Sequence, residues 1–308
     1  MDVNSFKHIP VLFNETIQSL NIDPDGTYVD CTAGGGGHSE AVAKLLTTGR
    51  LVAIDRDPEA IEVLNHRLGA YKCATIINDN FFFIKSLLQG LQISNADGIM
   101  ADLGVNSHQL DDASRGFSFH TDAPLDMRMS MSGPSAADVV NSLPQEELQK
   151  IISEYGEEKF AYKISSAIVK SRSIKPIKTT LELSGIISQA VPAAVRREGH
   201  PARKTFQAIR IYVNNELDGL TQAVTDMFEC LKPGGRLSII TFHSLEDKAV
   251  KNAFTPLAQG CTCPKNFPVC VCGKKPVAKL FKPVTPGKEE IEKNPRSRSA
   301  KLRTLEKL

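Results

Sequence analysis

The chain has no tryptophan, only five tyrosines, and no apolar run approaching the ~18 residues that a membrane-spanning helix requires. A membrane span is therefore excluded among its helices. Its 308 residues carry a formal net charge of only +2, so charge alone selects no polyanionic partner. The opening Met1-Asp2-Val3-Asn4 has neither the basic nor the apolar stretch of a secretory signal, and the expectation is a cytoplasmic protein that meets no membrane. Cysteine is sparse. There are seven, an odd number, and Cys31, Cys73 and Cys230 stand singly among apolar neighbours, which fits reduced buried thiols better than a disulfide framework. One further absence is local: Gly34-x-Gly36 begins a G-x-G-x-x-G pattern, but Ser39 stands where the third glycine belongs.

What is present first is an alternation of strand-like and helix-like stretches. Strands are expected near 26–32, 50–55, 74–78 and 97–103, with helices near 37–47, 57–69 and 82–92. Asp57-Pro58 suits a helix start, with an acid to cap and proline at the first helical position. This β-α-β order predicts an α/β fold with a mostly parallel, doubly wound, Rossmann-like sheet. The rhythm stops after Asp102. Helical patterns such as Glu146–Tyr155 and Phe160–Ser171 follow, separated by prolines. The sheet signature resumes with a helix near 203–231, the turn Lys232-Pro-Gly-Gly235 and a strand over 236–242. The length suits about two domains. The expected division is a core over 1–106, an inserted helical substrate-recognition domain over 107–208, and the rest of the core over 209–308. Residues 256–297 read as irregular, with a last strand near 299–305.

Glycines where a strand turns into a helix let backbone approach a ligand closely, and Asp55, ending the second strand, suits a ribose diol. Asp30 stands at the mouth of the loop. A carboxylate there would repel a pyrophosphate but suits a sulfonium and an ammonium, so the residues point to S-adenosylmethionine (SAM); a merely flexible glycine turn is the plainer alternative. Asp102 ends the fourth strand. In an open sheet three strand-end acids, Asp30, Asp55 and Asp102, should converge on one crevice.

Other candidates lie in loops and clusters. The segment 107–119 is polar with two aromatics: Gln109 could reach the cofactor, and Phe117 and Phe119 could stack on a base or plug a domain junction. Arg196, Arg197, His200, Arg203, Lys204 and Arg210 form a basic cluster, echoed by Lys293, Arg296, Arg298, Lys301 and Arg303, and both fit a polyanion. His243 could act in a site, or the segment with Ser244, Glu246 and Asp247 could simply start a helix. Cys261, Cys263, Cys270 and Cys272 could close a structural zinc site, yet Cys-x-Cys is tighter than the common Cys-x-x-Cys, which favours a loop of redox-labile thiols.

Several long strings appear in order. They are Asp30-x-Thr32-x-Gly34-x-Gly36-Gly-His38-Ser39, Ala53-Ile-Asp-Arg-Asp-Pro58, Asp102-Leu-Gly-Val-x-Ser107, Gln109-Leu-Asp-Asp112 and Arg115-Gly-Phe-Ser-Phe119. Pro124-Leu-Asp-Met-Arg-Met129, His200-Pro-Ala-Arg203, Thr205-Phe-Gln-Ala208 and Phe242-His-Ser-Leu-Glu-Asp247 complete the set. Together, from His8 to the tail, they resemble the bacterial 16S rRNA cytosine-N4 methyltransferase family. The resemblance implies a class I methyltransferase core with an inserted helical domain. It also implies SAM-dependent methylation of a cytidine amine in the decoding region, with 16S rRNA, in the small ribosomal subunit, as partner. By motif, the cofactor contacts would be Gly36, Gly37, His38, Asp55, Phe81, Asp102 and Gln109; the RNA contacts expected from the aromatic loop and the basic cluster, rather than from the motifs, are Phe117, Phe119, Arg196, Arg197, Arg203 and Lys204. Asn106 departs from the serine common in the family, and many members lack the four-cysteine segment. Other amine methyltransferases place an Asx/Ser-Pro-Pro-aromatic string after strand 4. Here Asp102-Leu-Gly-Val105 stands there, so the expected acceptor for the amine is Asp102 or a backbone carbonyl just after it. A nicotinamide-dependent dehydrogenase and a non-catalytic ribosome-assembly factor are the rival readings.

Overall fold

The computed structural model describes residues 10–261, 263, 269 and 272–308. The chain forms two compact units, one from Met1–Gly104 with Leu217–Leu308 and one from Val105–Glu216.

The first unit is a seven-stranded sheet of β1 (Thr27–Asp30), β2 (Arg50–Asp55), β3 (Ala74–Asn78), β4 (Ala96–Asp102), β5 (Leu231–Thr241), β6 (Ala278–Leu280) and β7 (Lys301–Lys307). Their order is β3-β2-β1-β4-β5-β7-β6. The first five strands run parallel, and β7 lies antiparallel to both of its neighbours. Side chains alternate between faces along each strand. On one face Val29, Val52, Ile54, Ile99 and Ala101 pack with Ile84, Leu88, Leu220, Val224, Val250 and Phe254. On the other, Tyr28, Leu51, Ala53 and Met100 pack with Leu20, Val42, Leu64 and Leu68. Both faces are thus covered by helices, as a parallel sheet requires.

The helices are α1 (Phe13–Leu20), α2 (Gly37–Leu45), α3 (Pro58–Leu68), α4 (Ile84–Gly90), then α5 (Ser107–Asp111) to α11 in the second unit, and α12 (Leu220–Glu229), α13 (Ser244–Ala258) and α14 (Lys288–Lys293) back in the first. Asp57 caps α3 by accepting the Glu59 N–H at 3.1 Å. Strand order reverses between β1 and β4, so the carboxyl ends of β1, β2 and β4 border the crevice where ligands of open sheets bind.

Three local expectations are revised. The helix expected over 203–231 is two, α11 (Arg203–Asn214) and α12, because Asn215 adopts a left-handed conformation (φ 48°) and ends the first. The turn at Lys232–Gly235 interrupts β5 rather than preceding it: Ala96 pairs with Leu231, but Gly98 pairs with Arg236. The irregular stretch also contains structure, the short edge strand β6 and α14, which lack the hydrophobic periodicity that betrays longer elements.

The second unit holds α5, α6 (Ala136–Ser142), α7 (Gln145–Glu154), α8 (Ala161–Arg172), α9 (Thr180–Ala190), α10 (Ala193–Glu198) and α11. Three capping boxes start its helices, at Asn106/Gln109, Ser135/Asp138 and Thr179/Glu182. A single apolar core, including Leu125, Met127, Leu148, Ile164 and Phe206, joins them. The Pro124–Met129 string crosses this core as irregular chain, so its backbone needs partners. Buried Asn214 supplies them, accepting the Met129 N–H and donating to the Met127 carbonyl, each at 2.7 Å.

Candidate active site

The glycine loop is held by acids. Asp55 accepts the Gly34 N–H on Oδ2 at 2.7 Å and the Asp57 N–H on Oδ1 at 2.8 Å, so strand β2 fixes the loop that follows β1. Gly36 has φ 77°, a conformation that glycine adopts without strain, and a Cβ there would lie 3.0 Å from Leu64 and 3.1 Å from Arg67. The Arg67 guanidinium in turn donates to the Gly35 carbonyl. At Gly37 a Cβ would collide with Pro10. His38 lies buried in the first turn of α2, its ring stacked on Phe13 with centroids 5.7 Å apart.

Asp30 is buried at the end of β1. Its Oδ2 accepts the Ser39 hydroxyl at 2.6 Å and its Oδ1 the Thr32 N–H at 3.2 Å. Thr32 also reaches β4: its Oγ1 accepts the Asp102 N–H at 2.6 Å. The Asp102 residue is half-buried, but its Oδ1 is sealed from solvent with no hydrogen-bond partner among the described residues. At the end of β3, Asn78 and the following Asp79 donate to the Asp55 carbonyl, and Phe81 begins the short turn that follows.

Burial dominates the acids' titration. It raises Asp30 to about 6 against its hydrogen bonds from Ser39 and Thr32, and Asp55 to about 6 against those from Asp57 and Gly34. Asp102 is pushed well above the usual carboxylate range, first by burial and then by the charges of Asp30 and Glu246. Three carboxylates crowded at neighbouring strand ends repel a phosphate and favour a cation. An adenosine carrying a sulfonium and an ammonium fits that donor set.

Residues 5–308 match the MraW methylase family. The chain belongs to this family. It is 56% identical over 307 residues, 98% of this chain and 99% of the other, to the ribosomal RNA small subunit methyltransferase H of Clostridium botulinum (strain Kyoto / Type A2). The protein of the same name from Brevibacillus brevis is 52% identical over the full length of both chains. This methylase is a SAM-dependent methyltransferase, which sets aside the dehydrogenase and the non-catalytic assembly factor.

Of the expected cofactor residues, Gly36, Gly37, His38, Asp55, Phe81 and Asp102 sit on or just after the carboxyl ends of β1 to β4 in the first unit. Gln109 belongs to the helical unit, where its side-chain oxygen accepts the Asn106 N–H at 3.1 Å as part of a capping box.

The expected RNA residues divide. Phe117 is buried in the apolar core of the helical unit, so it packs rather than stacks on a base. Phe119 is half-buried, with His200 stacked on it at 4.4 Å and 24°, His120 at 4.4 Å and Phe206 edge-on. The exposed aromatic surface here is therefore His120 and His200, and burial together with His120 lowers the His200 pKa. Arg196 and Arg197 on α10, and Arg203 and Lys204 on α11, are exposed. Arg210 is withdrawn from the basic cluster, because its guanidinium grips Glu216 through two bonds of 2.8 Å. In the tail, Lys301 and Arg303 both bind Asp247.

Sequence alone does not mark Ser39, Thr32 or Glu246 as site residues. Glu246 is buried, and its Oε2 accepts the Phe242 and His243 N–H groups at 2.8 and 3.3 Å. His243 is the N-cap of α13, so the helix-start reading of that string is the one observed. The signal available was the spacing of three from His243 to Glu246, a capping-box interval. Cys270 lies outside the described residues, whereas Cys261, Cys263 and Cys272 bring their Sγ atoms within 4.8 Å of one another.

Proposed function

We propose that this methylase transfers a methyl group to the exocyclic N4 of a cytidine in the decoding region of 16S rRNA, acting in the cytoplasm on the small ribosomal subunit. The observation that carries this reading is near-full-length identity of 52–56% to proteins named ribosomal RNA small subunit methyltransferase H.

Bound SAM supplies an electrophilic methyl group on a positively charged sulfur. The rest is asked of this chain. The cytosine amine is a poor nucleophile, since its lone pair is delocalised into the ring. Rate is gained by aligning the amine and by accepting its N–H bonds so that the nitrogen becomes pyramidal. Asp102 Oδ1, sealed and without a partner among the described residues, is the acceptor we assign. It takes a hydrogen bond from the amine, and then the proton the amine loses once its nitrogen carries the methyl. Asp55 holds the ribose diol, the backbone of Gly34 to Gly37 permits close approach, and Asp30 keeps the field negative for the sulfonium. Exposed Arg196, Arg197, Arg203 and Lys204 bind phosphates, and the His120–His200 surface offers aromatic faces to an unstacked base.

The decisive experiment offers isotopically labelled SAM with free 16S rRNA and, separately, with unmethylated small subunits, then maps the label by mass spectrometry. N4-labelled cytidine in the decoding region supports the reading, and label elsewhere or none overturns it.

A further inference from the structure

We infer that Cys261, Cys263 and Cys272 form a structural site for zinc, independent of the methyl-transfer crevice. Three observations carry it. First, the three Sγ atoms lie within 4.8 Å of one another, although Cys272 is eleven positions along the chain from Cys261. Second, Cys261 Sγ and Cys272 Sγ are 3.7 Å apart. Sulfurs at the Zn–S distance of about 2.3 Å on a tetrahedral metal are separated by about 3.8 Å. Third, the Cys263 N–H points to Cys261 Sγ at 3.4 Å, a contact that favours a thiolate over a thiol. The tight Cys-x-Cys spacing, which in sequence weakens the case for metal, is the spacing that allows this turn.

The loop gives the metal something to do. Residues 259–277 leave α13 and return to β6 with no helix or strand among the described ones. Their base is closed by the Val277 N–H donating to the Leu257 carbonyl at 2.9 Å. Cys261 and Cys272 are exposed, so apolar packing does not hold these two side chains. A metal clip that ties together two ends of a long loop offsets its closure entropy, and a thiophilic cation held by Cys261, Cys263 and Cys272 would be one. On binding, three thiol protons leave to solvent, and three thiolates and one solvent molecule coordinate the metal, with no change of oxidation state. Soft sulfur ligands select zinc over magnesium or calcium.

The test uses the full chain, purified under reductant without chelator and reconstituted with zinc, then gel-filtered. Elemental analysis should find about one zinc per chain. Cys261→Ser and Cys272→Ser should each lower retained zinc more than tenfold, while Cys73→Ser, a thiol in a different part of the core unit, retains it. Cobalt reconstitution should give the intense near-ultraviolet band of thiolate-to-cobalt charge transfer. SAM affinity should stay unchanged in all three variants. Should a variant fail to fold, the wild-type chain suffices: chelation should accelerate alkylation of Cys261, Cys263 and Cys272, read residue by residue by mass spectrometry. No stoichiometric zinc after reconstitution, zinc retained by both serine variants, or alkylation indifferent to chelator would each overturn the proposal.

Discussion

Ser39 Oγ donates to Asp30 Oδ2 at 2.6 Å. The residue that replaces the third glycine of a dinucleotide loop is thus the one that holds the acid at the mouth of the loop. The departure and the acid are one device, and a glycine at 39 would leave Asp30 without its shortest hydrogen bond. Ser39→Ala should therefore raise the proton affinity of Asp30, since the Ser39 bond is the largest influence holding it down. At pH 7 the variant should bind SAM more weakly, and the pH at which affinity reaches its plateau should move upward. Calorimetric titrations of wild type and variant across pH check this; coincident profiles would separate Ser39 from the cofactor.

The pH dependence of the wild type follows from the same acids. Burial raises Asp30 and Asp55 from 3.8 to about 6. Between those values the folded protein binds more protons than the unfolded chain, so these groups favour folding most at low pH and that contribution is lost as pH rises through about 6. A cationic ligand reverses the penalty by favouring the ionised forms. SAM should bind more tightly as pH climbs through about 6, by up to about tenfold per unit for each acid, and then level off. Its thermal stabilisation of the protein should be larger at neutral pH than near pH 5. Affinity flat across that range would contradict the assignment.

Asp55→Asn removes the charge together with one of the two backbone bonds that anchor the loop. The amide keeps one oxygen to accept a backbone N–H, but it cannot accept both the Gly34 and Asp57 bonds that Asp55 receives on its two oxygens. Losing a charged acceptor costs about 1.5–3 kcal/mol, or about ten- to a hundredfold in SAM affinity. Asp55→Ala should cost more, because it frees the Gly34 N–H as well. Comparable affinity of wild type and Asp55→Asn in calorimetry would argue against a ribose contact.

Much of the core unit was legible because its strands are short apolar runs with acids at their carboxyl ends, and each acid marks where chain leaves the sheet. Asp30, Asp55 and Asp102 needed no structure to be placed at one edge. Ser39 and Thr32 were hidden, since a hydroxyl that bridges strand ends has no periodicity to reveal it. Phe117 and Phe119 look alike in sequence, and only packing shows that the first is core while His200 covers the second. Arg210 counts with its basic neighbours in sequence, and only the fold shows that Glu216, six positions on, holds it.

That distinction makes a sharper test of the RNA face. Reversing exposed Arg196, Arg197 and Arg203 to Glu should weaken substrate RNA binding while leaving SAM affinity unchanged. The slope of log affinity against log salt should shrink by about 0.7 for each phosphate no longer neutralised. Arg210→Glu should act differently, placing a second carboxylate against Glu216 and lowering the melting temperature of the protein. If the triple variant bound RNA with undiminished strength and salt slope, the phosphates would lie elsewhere.

Asp102 is the last and most direct test, because its Oδ1, without a partner among the described residues, is the atom assigned to the proton that the amine loses. Asp102→Asn keeps an oxygen able to accept a hydrogen bond but cannot take the proton that N4 must lose. If proton acceptance matters, turnover should fall by about 10²- to 10⁴-fold, the usual worth of a positioned general base. The Asp102 N–H bond to Thr32 Oγ1 is a backbone bond and should survive, so β4 and the loop after β1 stay joined. SAM affinity should then change far less than turnover, by less than about tenfold if the lost charge is only one of three acids. Single-turnover methyl transfer at saturating RNA separates the two quantities. A variant that transfers methyl at the wild-type rate would move the acceptor role from Asp102 to the backbone carbonyls that follow it.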